Sequence, residues 1–448
     1  MKPEAAAFNV TAAAQFSEIV LMDAPRRRTT RRDVVRGFAA AASFAFPCPS
    51  FAQAAARVVV IGGGFGGAAC ARALRKIASR LQVTLVEPNR VFTACPFSNE
   101  VIAGLRGIEG QQFGYDKITA DGVKVVAQAA AKVDPKTRTV GLADGTSLPY
   151  DRLVLAPGID LRFDALPGYD EAAAEKMPHA WKAGEQTMLL RRQLEAMEDG
   201  GLVVLAIPAT PYRCPPAPYE RASLIAHYLK AKKPRSKILI LDAKDAFSQQ
   251  RLFENAWKEF YPGMIERISL SQGGRVISVE AATNTLVTDF GNYDAQVANV
   301  IPPQKAGHIA ALAGAADNTG WCPIDPETFA SKLVPNIHVI GDAVLGGAIP
   351  KSASAAQAEG KACAGVVASL IAGTVPARPT LESICYNTVM PGYAFSLSAN
   401  YRSRDDSFAE LVGSGFRSPV NHLSGLRMRE EAVRAQSWFK TITVETFG

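Results

Sequence analysis

The chain has no C-x-x-C pair and no C-x-x-C-H among its 448 residues. It therefore offers neither a zinc ribbon, nor a thioredoxin-type pair, nor an attachment site for c-type haem. Its five histidines (His179, His227, His308, His338 and His422) fall at no ligand spacing, so structural roles suit them and no metal site is expected. The apolar run Gly37 to Phe46 is broken by Pro47 and Pro49, too short for a transmembrane anchor. A strong charge excess is lacking as well. The formal charge is +7, but seven Lys and Arg lie within residues 1–54 and the remainder is close to balance, which gives no reason to expect nucleic acid.

That N-terminal segment has an order of its own: the basic stretch RRRTTRRDVVR, the apolar run, then Ala52-Gln53-Ala54. The order matches an export signal, and Arg31-Arg32 followed by Val34 and Val35 points to the twin-arginine type. A basic tail that stays on the protein fits the same composition. As a signal, residues 1–54 leave a chain that starts near Ala55 and works in the periplasm. Cys48 departs with it and six cysteines remain, in a compartment where a disulfide persists.

The most informative stretch that is present is Arg57 to Gly67, RVVVIGGGFGG. It reads as a buried strand, a turn and a helix, with Gly62, Gly64 and Gly67 spaced as G-x-G-x-x-G. The first glycine permits the tight turn, the second lets backbone approach a pyrophosphate, and the third lets helix and strand pack closely. A strand over Val83–Val86 then ends in Glu87, placed to accept hydrogen bonds from a ribose. The glycines alone also fit an ordinary strand-to-helix turn; with Glu87 they point to an adenine dinucleotide. A strand ending in Ala156-Pro157-Gly158 and a late strand ending in Gly341-Asp342-Ala343 are in the order expected of a flavoprotein with two dinucleotide folds, which makes the dinucleotide FAD. After it, Pro350-Lys351 opens a small-residue helix over Ser352–Gly373 whose N-terminus would face the flavin.

A second strand-turn-helix, Leu202–Ile207 to Arg221–Leu229, departs from the first. Its turn carries Pro208, Pro211, Pro215, Pro216 and Pro218 and no glycine. Proline has no N–H for phosphate and its ring blocks close approach, so a pyridine nucleotide is not expected here. Cys214 sits in that frame, followed by Glu220. A surface loop with an incidental cysteine fits this stretch too. Cys95, in a loop after Glu87, lies on the way to the flavin or is a half-buried free thiol; Cys322 is the second cysteine beside a proline. A helix is expected over His179–Met197 and another in the Gly/Ala-rich run to Ala316. The fold class is α/β: two Rossmann-like domains of the FAD/NAD(P)-binding type plus a C-terminal α+β interface domain. The boundaries fall at 55–160 and 301–376 for the FAD-binding domain, 161–300 for the second nucleotide fold and 377–448 for the interface unit, whose charged tail does not read as membrane-inserting.

The segments TACPFSNEVIAG, YRCPPAPYERAS, GWCPID, HVIGDA and PKSASAAQAEGK resemble the flavoprotein subunit of flavocytochrome c sulfide dehydrogenase, a glutathione-reductase-like flavoprotein. The resemblance runs from Arg57 through at least Gly373. It implies FAD held covalently by Cys95, a redox disulfide of Cys214 and Cys322 on the flavin's face, Glu220 as base, and a cofactor site of Gly62, Gly64, Gly67, Glu87, Ala156, Gly158, Asp342 and Lys351. It further implies sulfide as substrate and a separate c-type cytochrome subunit carrying the haem. Ala156-Pro157-Gly158 departs from the family's common Ala-Thr-Gly. The rival readings are a sulfide:quinone oxidoreductase, which predicts an apolar C-terminal surface, and an accessory flavoprotein of a sulfur-oxidation complex.

Overall fold

The computed structural model describes residues 55–420 and 425–448; the expected export signal, with Cys48, lies outside the described residues. The first sheet begins with β1 (Arg57–Ile61), followed by α1 (Phe65–Ile77), β2 (Gln82–Val86), a short α2 (Ser98–Ile102), β3 (Lys124–Val126) and β4 (Arg152–Leu155). Val58 to Ile61 are all buried, as a parallel strand covered on both faces requires. An antiparallel meander of 130–134, 139–142 and 147–149 is inserted before β4.

The chain then builds a second sheet. Helix α3 (Glu185–Ala196) precedes β5 (Leu202–Ile207), α4 (Ala217–Lys232), β6 (Lys237–Asp242), β7 (Ile265–Ile268) and β8 (Val297–Val300), with parallel order β7-β6-β5-β8. Afterwards β9 (Ile337–Val339) returns to pair with β4, completing the order β9-β4-β1-β2-β3. Two parallel sheets in one chain are the two Rossmann-like units expected from the sequence.

Helix α5 (Ala353–Ala372) explains the small residues around Gly66 and Gly360. The Ser352 hydroxyl accepts from the Ala355 N–H, capping the helix, and Gly373 ends it at φ 71°. A methyl group built on Gly360 would lie 2.2 Å from the Gly66 carbonyl oxygen, so α1 and α5 touch backbone to backbone. One on Gly67 would lie 1.9 Å from the Gly62 oxygen, the close strand-helix packing expected of the third glycine.

The C-terminal part is a meander of β10 (Thr380–Met390), β11 (Tyr393–Arg404) and β12 (Ser407–Glu410), then α6 (Gly425–Phe447). It is no free-standing unit. The buried Phe447 stacks on Phe92 and Phe113 at 5.2 Å between ring centroids and meets Phe65 edge-on, binding α6 to the first dinucleotide fold.

Two expected helices are shorter than the sequence pattern suggests. Residues 179–183 stay outside α3 because the carbonyls of His179 and Ala180 accept from the Arg221 guanidinium, and Ala180 takes a left-handed φ of 45°. The run to Ala316 is helical only over Ile309–Leu312, since residues 304–306 pair as a strand with 159–161. Gly360→Ala is expected to push α1 and α5 apart and destabilise the protein by about 1–3 kcal/mol, read as a lower thermal midpoint than that of Gly365→Ala, whose methyl meets open space.

Candidate active site

A cavity of about 500 Å³ is walled by the glycine turn, the proline frame and the middle of β10, a size suited to a bound cofactor. Gly62, Gly64, Glu87, Ala156, Gly158 and Asp342 all line it. The local chemistry follows from the strand ends. Glu87 Oε2 accepts from the Gly63 N–H at 2.8 Å, while Oε1 accepts from the backbone and side chain of Asn89. A carboxylate so fixed keeps acceptor capacity for ribose hydroxyls. A methyl on Gly64 would meet only Phe92, at 3.4 Å, leaving backbone open to a pyrophosphate.

Asp342 supplies the independent test that FAD fits. Its Oδ1 is buried and has no hydrogen-bond partner among the described residues, although buried polar atoms are normally satisfied. Burial pushes its carboxyl up, with Arg213 and Lys351 working against that shift. A hydroxyl donor such as those of a ribityl chain would satisfy the orphaned oxygen. The first turn of α5, through Ser352, Ala353 and Ser354, lines the cavity as well and presents a helix N-terminus.

Two expected cofactor residues stand off the wall. Gly67 acts by packing, as described above. Lys351 turns its ammonium away from the cavity, over the Trp321 ring at 4.0 Å, and donates to the carbonyls of Asp342 and Val344. It braces the turn that carries Asp342, and its own carbonyl accepts from the Cys214 N–H at 2.8 Å.

Cys95 is half-buried on the wall, its Sγ 3.8 Å from the Trp181 carbonyl oxygen. The fully buried Gln111 side chain, in the orientation that satisfies it, donates to the carbonyls of Ala94 and Pro96 on either side of that cysteine.

Cys214 and Glu220 also face the cavity, the first at φ 54° in the proline frame and the second in the first turn of α4. Burial raises the Cys214 thiol well above its ordinary value, Cys385 and Glu220 add to the rise, and Arg213 opposes it. Glu220 accepts from Asn99 Nδ2 at 2.7 Å and from the Thr388 N–H at 2.8 Å, and burial lifts its pKa to about 7 against those bonds.

Here the structure departs from the expected pairing. Cys322 is fully buried off the cavity, its pKa raised by burial to about 12, with Lys351 and Asp317 as its charged neighbours. Besides Cys95, the thiol on the wall with Cys214 is Cys385, from β10. Burial raises Cys385 to about 11; a hydrogen bond with Ser352 opposes the rise and Glu220 adds to it. Both thiols are free. The proline beside Cys322 drew attention to a cysteine that does not line the cavity. Cys385 has no proline or glycine neighbour, and the one signal in the sequence is its place near Tyr386, Tyr393 and Phe395 in a pair of long strands. Sequence reasoning also missed Arg213 and Trp181 on the wall.

In the second dinucleotide fold, the acid at the end of β6 is already committed. Asp242 is fully buried and accepts from Tyr219 Oη at 2.6 Å, Lys244 Nζ at 2.7 Å and Arg267 Nε at 2.8 Å. Phe247 stacks on Tyr219 with 3.5 Å between centroids.

Comparison with known proteins agrees with this architecture. Residues 56–195 match the family model of pyridine nucleotide-disulphide oxidoreductases; residues 187–302 match that of the central part of the sulfide dehydrogenase [flavocytochrome c] flavoprotein chain; residues 377–447 match its flavin-binding part. The sulfide dehydrogenase flavoprotein chain of Chlorobaculum thiosulfatiphilum is 62% identical over 45 residues, 10% of this chain and 94% of that sequence. The mitochondrial sulfide:quinone oxidoreductase of Mus musculus is 24% identical over 298 residues, 64% of this chain; the match spans 65% of the mouse protein's length. Among solved structures, the sulfide:quinone oxidoreductase of Aquifex aeolicus superposes with a TM-score of 0.69 at 18% identity, covering 87% of this chain and 92% of that one, a likeness of fold. Two dinucleotide folds, matched in their central and C-terminal parts by one family, make this chain a member of the flavocytochrome c sulfide dehydrogenase flavoproteins.

Proposed function

We propose that the chain oxidises sulfide with FAD, through a redox pair formed by Cys214 and Cys385, and hands electrons to a c-type cytochrome subunit. The observation that carries this reading is the shared wall: Cys214, Cys385, Glu220, the glycine turn and Asp342 all line one cavity. FAD, when bound, supplies a two-electron acceptor that can release electrons singly. Gly62, Gly64, Glu87 and Asp342 would hold its phosphates and sugars, and Cys95 is the candidate for a covalent thioether to its ring.

This chain's own residues perform the sulfur chemistry. With Cys214 and Cys385 joined as a disulfide, hydrosulfide attacks one sulfur; that sulfur becomes a persulfide and the other leaves as a thiolate. Glu220 takes the sulfide proton, since a carboxyl with a pKa of about 7 is half ionised near neutral pH. Asn99 and the Thr388 N–H fix its orientation.

Several features favour the cytochrome over a quinone. Both flavocytochrome c family matches include residues that line the cavity. The haem would reside on the partner, since the chain has no C-x-x-C-H. Residues 1–54 carry the features of a twin-arginine signal, which suits work in the periplasm. The relatives named sulfide:quinone oxidoreductases keep the quinone reading as the alternative. Turnover of sulfide with cytochrome c and not with a soluble quinone is the expected result; turnover with quinone alone replaces the reading, and none with either favours an accessory role.

Four substitutions test the residues. Cys385→Ser is expected to abolish flavin reduction by sulfide in stopped flow, whereas Cys322→Ser leaves it in place; the reverse outcome would restore Cys322 as the partner. Glu220 acts as a base only when ionised, so the rate of flavin reduction should rise through about pH 7, and Glu220→Gln should lose that limb with a fall of about 10²–10⁴. Acid-precipitated protein is expected to stay yellow and to lose its colour in Cys95→Ser; a colourless wild-type precipitate removes the thioether.

A further inference from the structure

Arg213 precedes Cys214 in the proline frame and lines the same cavity, with 18% of its side chain exposed. Its guanidinium donates to the Trp181 carbonyl and lies 3.9 Å from Asp342. Its own N–H donates to Gln304 Oε1 at 2.9 Å, and the next N–H, that of Cys214, donates to the Lys351 carbonyl. Two segments distant in sequence thus fix the backbone on either side of the Arg213–Cys214 peptide. Cys214 keeps a left-handed φ of 54°, a conformation that residues with a side chain avoid, which shows how firmly the frame determines its direction.

The charges around this point do not cancel. A guanidinium carries five N–H donors and no acceptor, and one carbonyl with one carboxylate at 3.9 Å leaves it under-matched. The neighbouring Arg221 is different: it gives its hydrogen bonds to four neutral oxygens, those of Asn99, His179, Asn299 and Ala180, at 2.6–3.0 Å. Of the groups that face Cys214, Glu220 in α4 and Asp342 after β9 bring negative charge, Cys385 in β10 is a second thiol, and Arg213 brings positive charge.

We propose that Arg213 is a positioning residue for sulfur chemistry, its guanidinium held by Trp181 and Asp342 as the counter-charge to a Cys214 thiolate in the reduced site. This rests on the reading of Cys214 as a redox thiol. The thiolate, not the thiol, is nucleophile and electron donor, and burial beside Glu220 works against it. A cation fixed one residue away opposes that penalty. Its tether to the carbonyl that Cys95 also faces ties the charge to the loop where FAD would be attached.

The test is the pH dependence of iodoacetamide alkylation at Cys214, mapped by peptide mass on the reduced, flavin-loaded protein, for wild type, Arg213→Gln and Arg213→Lys. Removing a cation raises a thiol pKa, so less thiolate is present at a fixed pH. Arg213→Gln is expected to alkylate about tenfold more slowly at pH 7, a shift of about one pH unit, and Arg213→Lys to recover part of the rate. An unchanged profile in Arg213→Gln, or no recovery in Arg213→Lys, overturns the proposal. If Arg213→Gln does not fold, anionic iodoacetate is compared with neutral iodoacetamide in wild type and Arg213→Lys. A preference for iodoacetate at Cys214 above that of the unfolded chain supports the counter-charge, and no such preference overturns it. Alkylation needs no sulfide, so absent sulfide turnover with the shift intact would count against the sulfide reading alone.

Discussion

One buried guanidinium joins three segments that surround the cavity. Arg221, 2% exposed, reaches from α4 to Asn99 in α2, to Asn299 in β8, and to the carbonyls of His179 and Ala180 in the strap between the two folds. Burial lowers its pKa to about 10, which still leaves it charged at neutral pH. A charge in such a place is tolerated only with its donors satisfied, and hydrogen bonds to a charged donor contribute roughly 1.5–3 kcal/mol each. Its position depends on the proline frame, because α4 begins directly after Pro215 and Pro216. The strap it holds carries Trp181, whose carbonyl then meets both Cys95 and Arg213.

The two dinucleotide folds share an architecture and divide the work by what stands at the end of the first strand. After β1 the glycines leave backbone bare, and Glu87 at the end of β2 remains on the cavity wall. After β5 the prolines remove the N–H groups a phosphate would need, and Asp242 at the end of β6 is spent on Tyr219, Lys244 and Arg267. The equivalent acid thus has opposite fates. In one fold it waits for a ligand, and in the other it is a structural anion. The second fold therefore contributes a cysteine, a carboxyl and two arginines to a cavity that belongs to the first.

The legible parts of the sequence were those governed by local rules. Gly62, Gly64 and Glu87 could be placed because a tight turn, a close approach and a strand end each demand a particular residue type, and β1 and β5 because a fully buried strand reads as an unbroken apolar run. The strap was not legible: residues 179–183 look helical beside α3, and only a guanidinium from α4, 41 to 42 positions later, takes their carbonyls instead. Lys351 was read as facing the cofactor because it opens α5, but its direction is set by Trp321, whose ring it covers. Cys385 was passed over for the same reason. Its place on the wall comes from β10 packing against α4 and α5, a contact between segments more than 150 residues apart for Glu220 and Thr388.

That long-range contact also sets the proton chemistry. Glu220 would be an ordinary carboxyl if α4 stood alone; it becomes a group with a pKa of about 7 because β10 closes over it and removes water. The Thr388 N–H and Asn99 then limit the rise, holding the value where both protonation states are accessible. Glu359 in α5 shows what a weaker limit allows: burial lifts it to about 8, opposed by the Gly341 N–H and by Lys351. The cavity thus has one carboxyl tuned to exchange a proton near neutral pH beside its thiols. The surroundings of Cys214 and Glu220 follow from how deeply the C-terminal strands bury their neighbours, and so from the part of the chain whose sequence announces least.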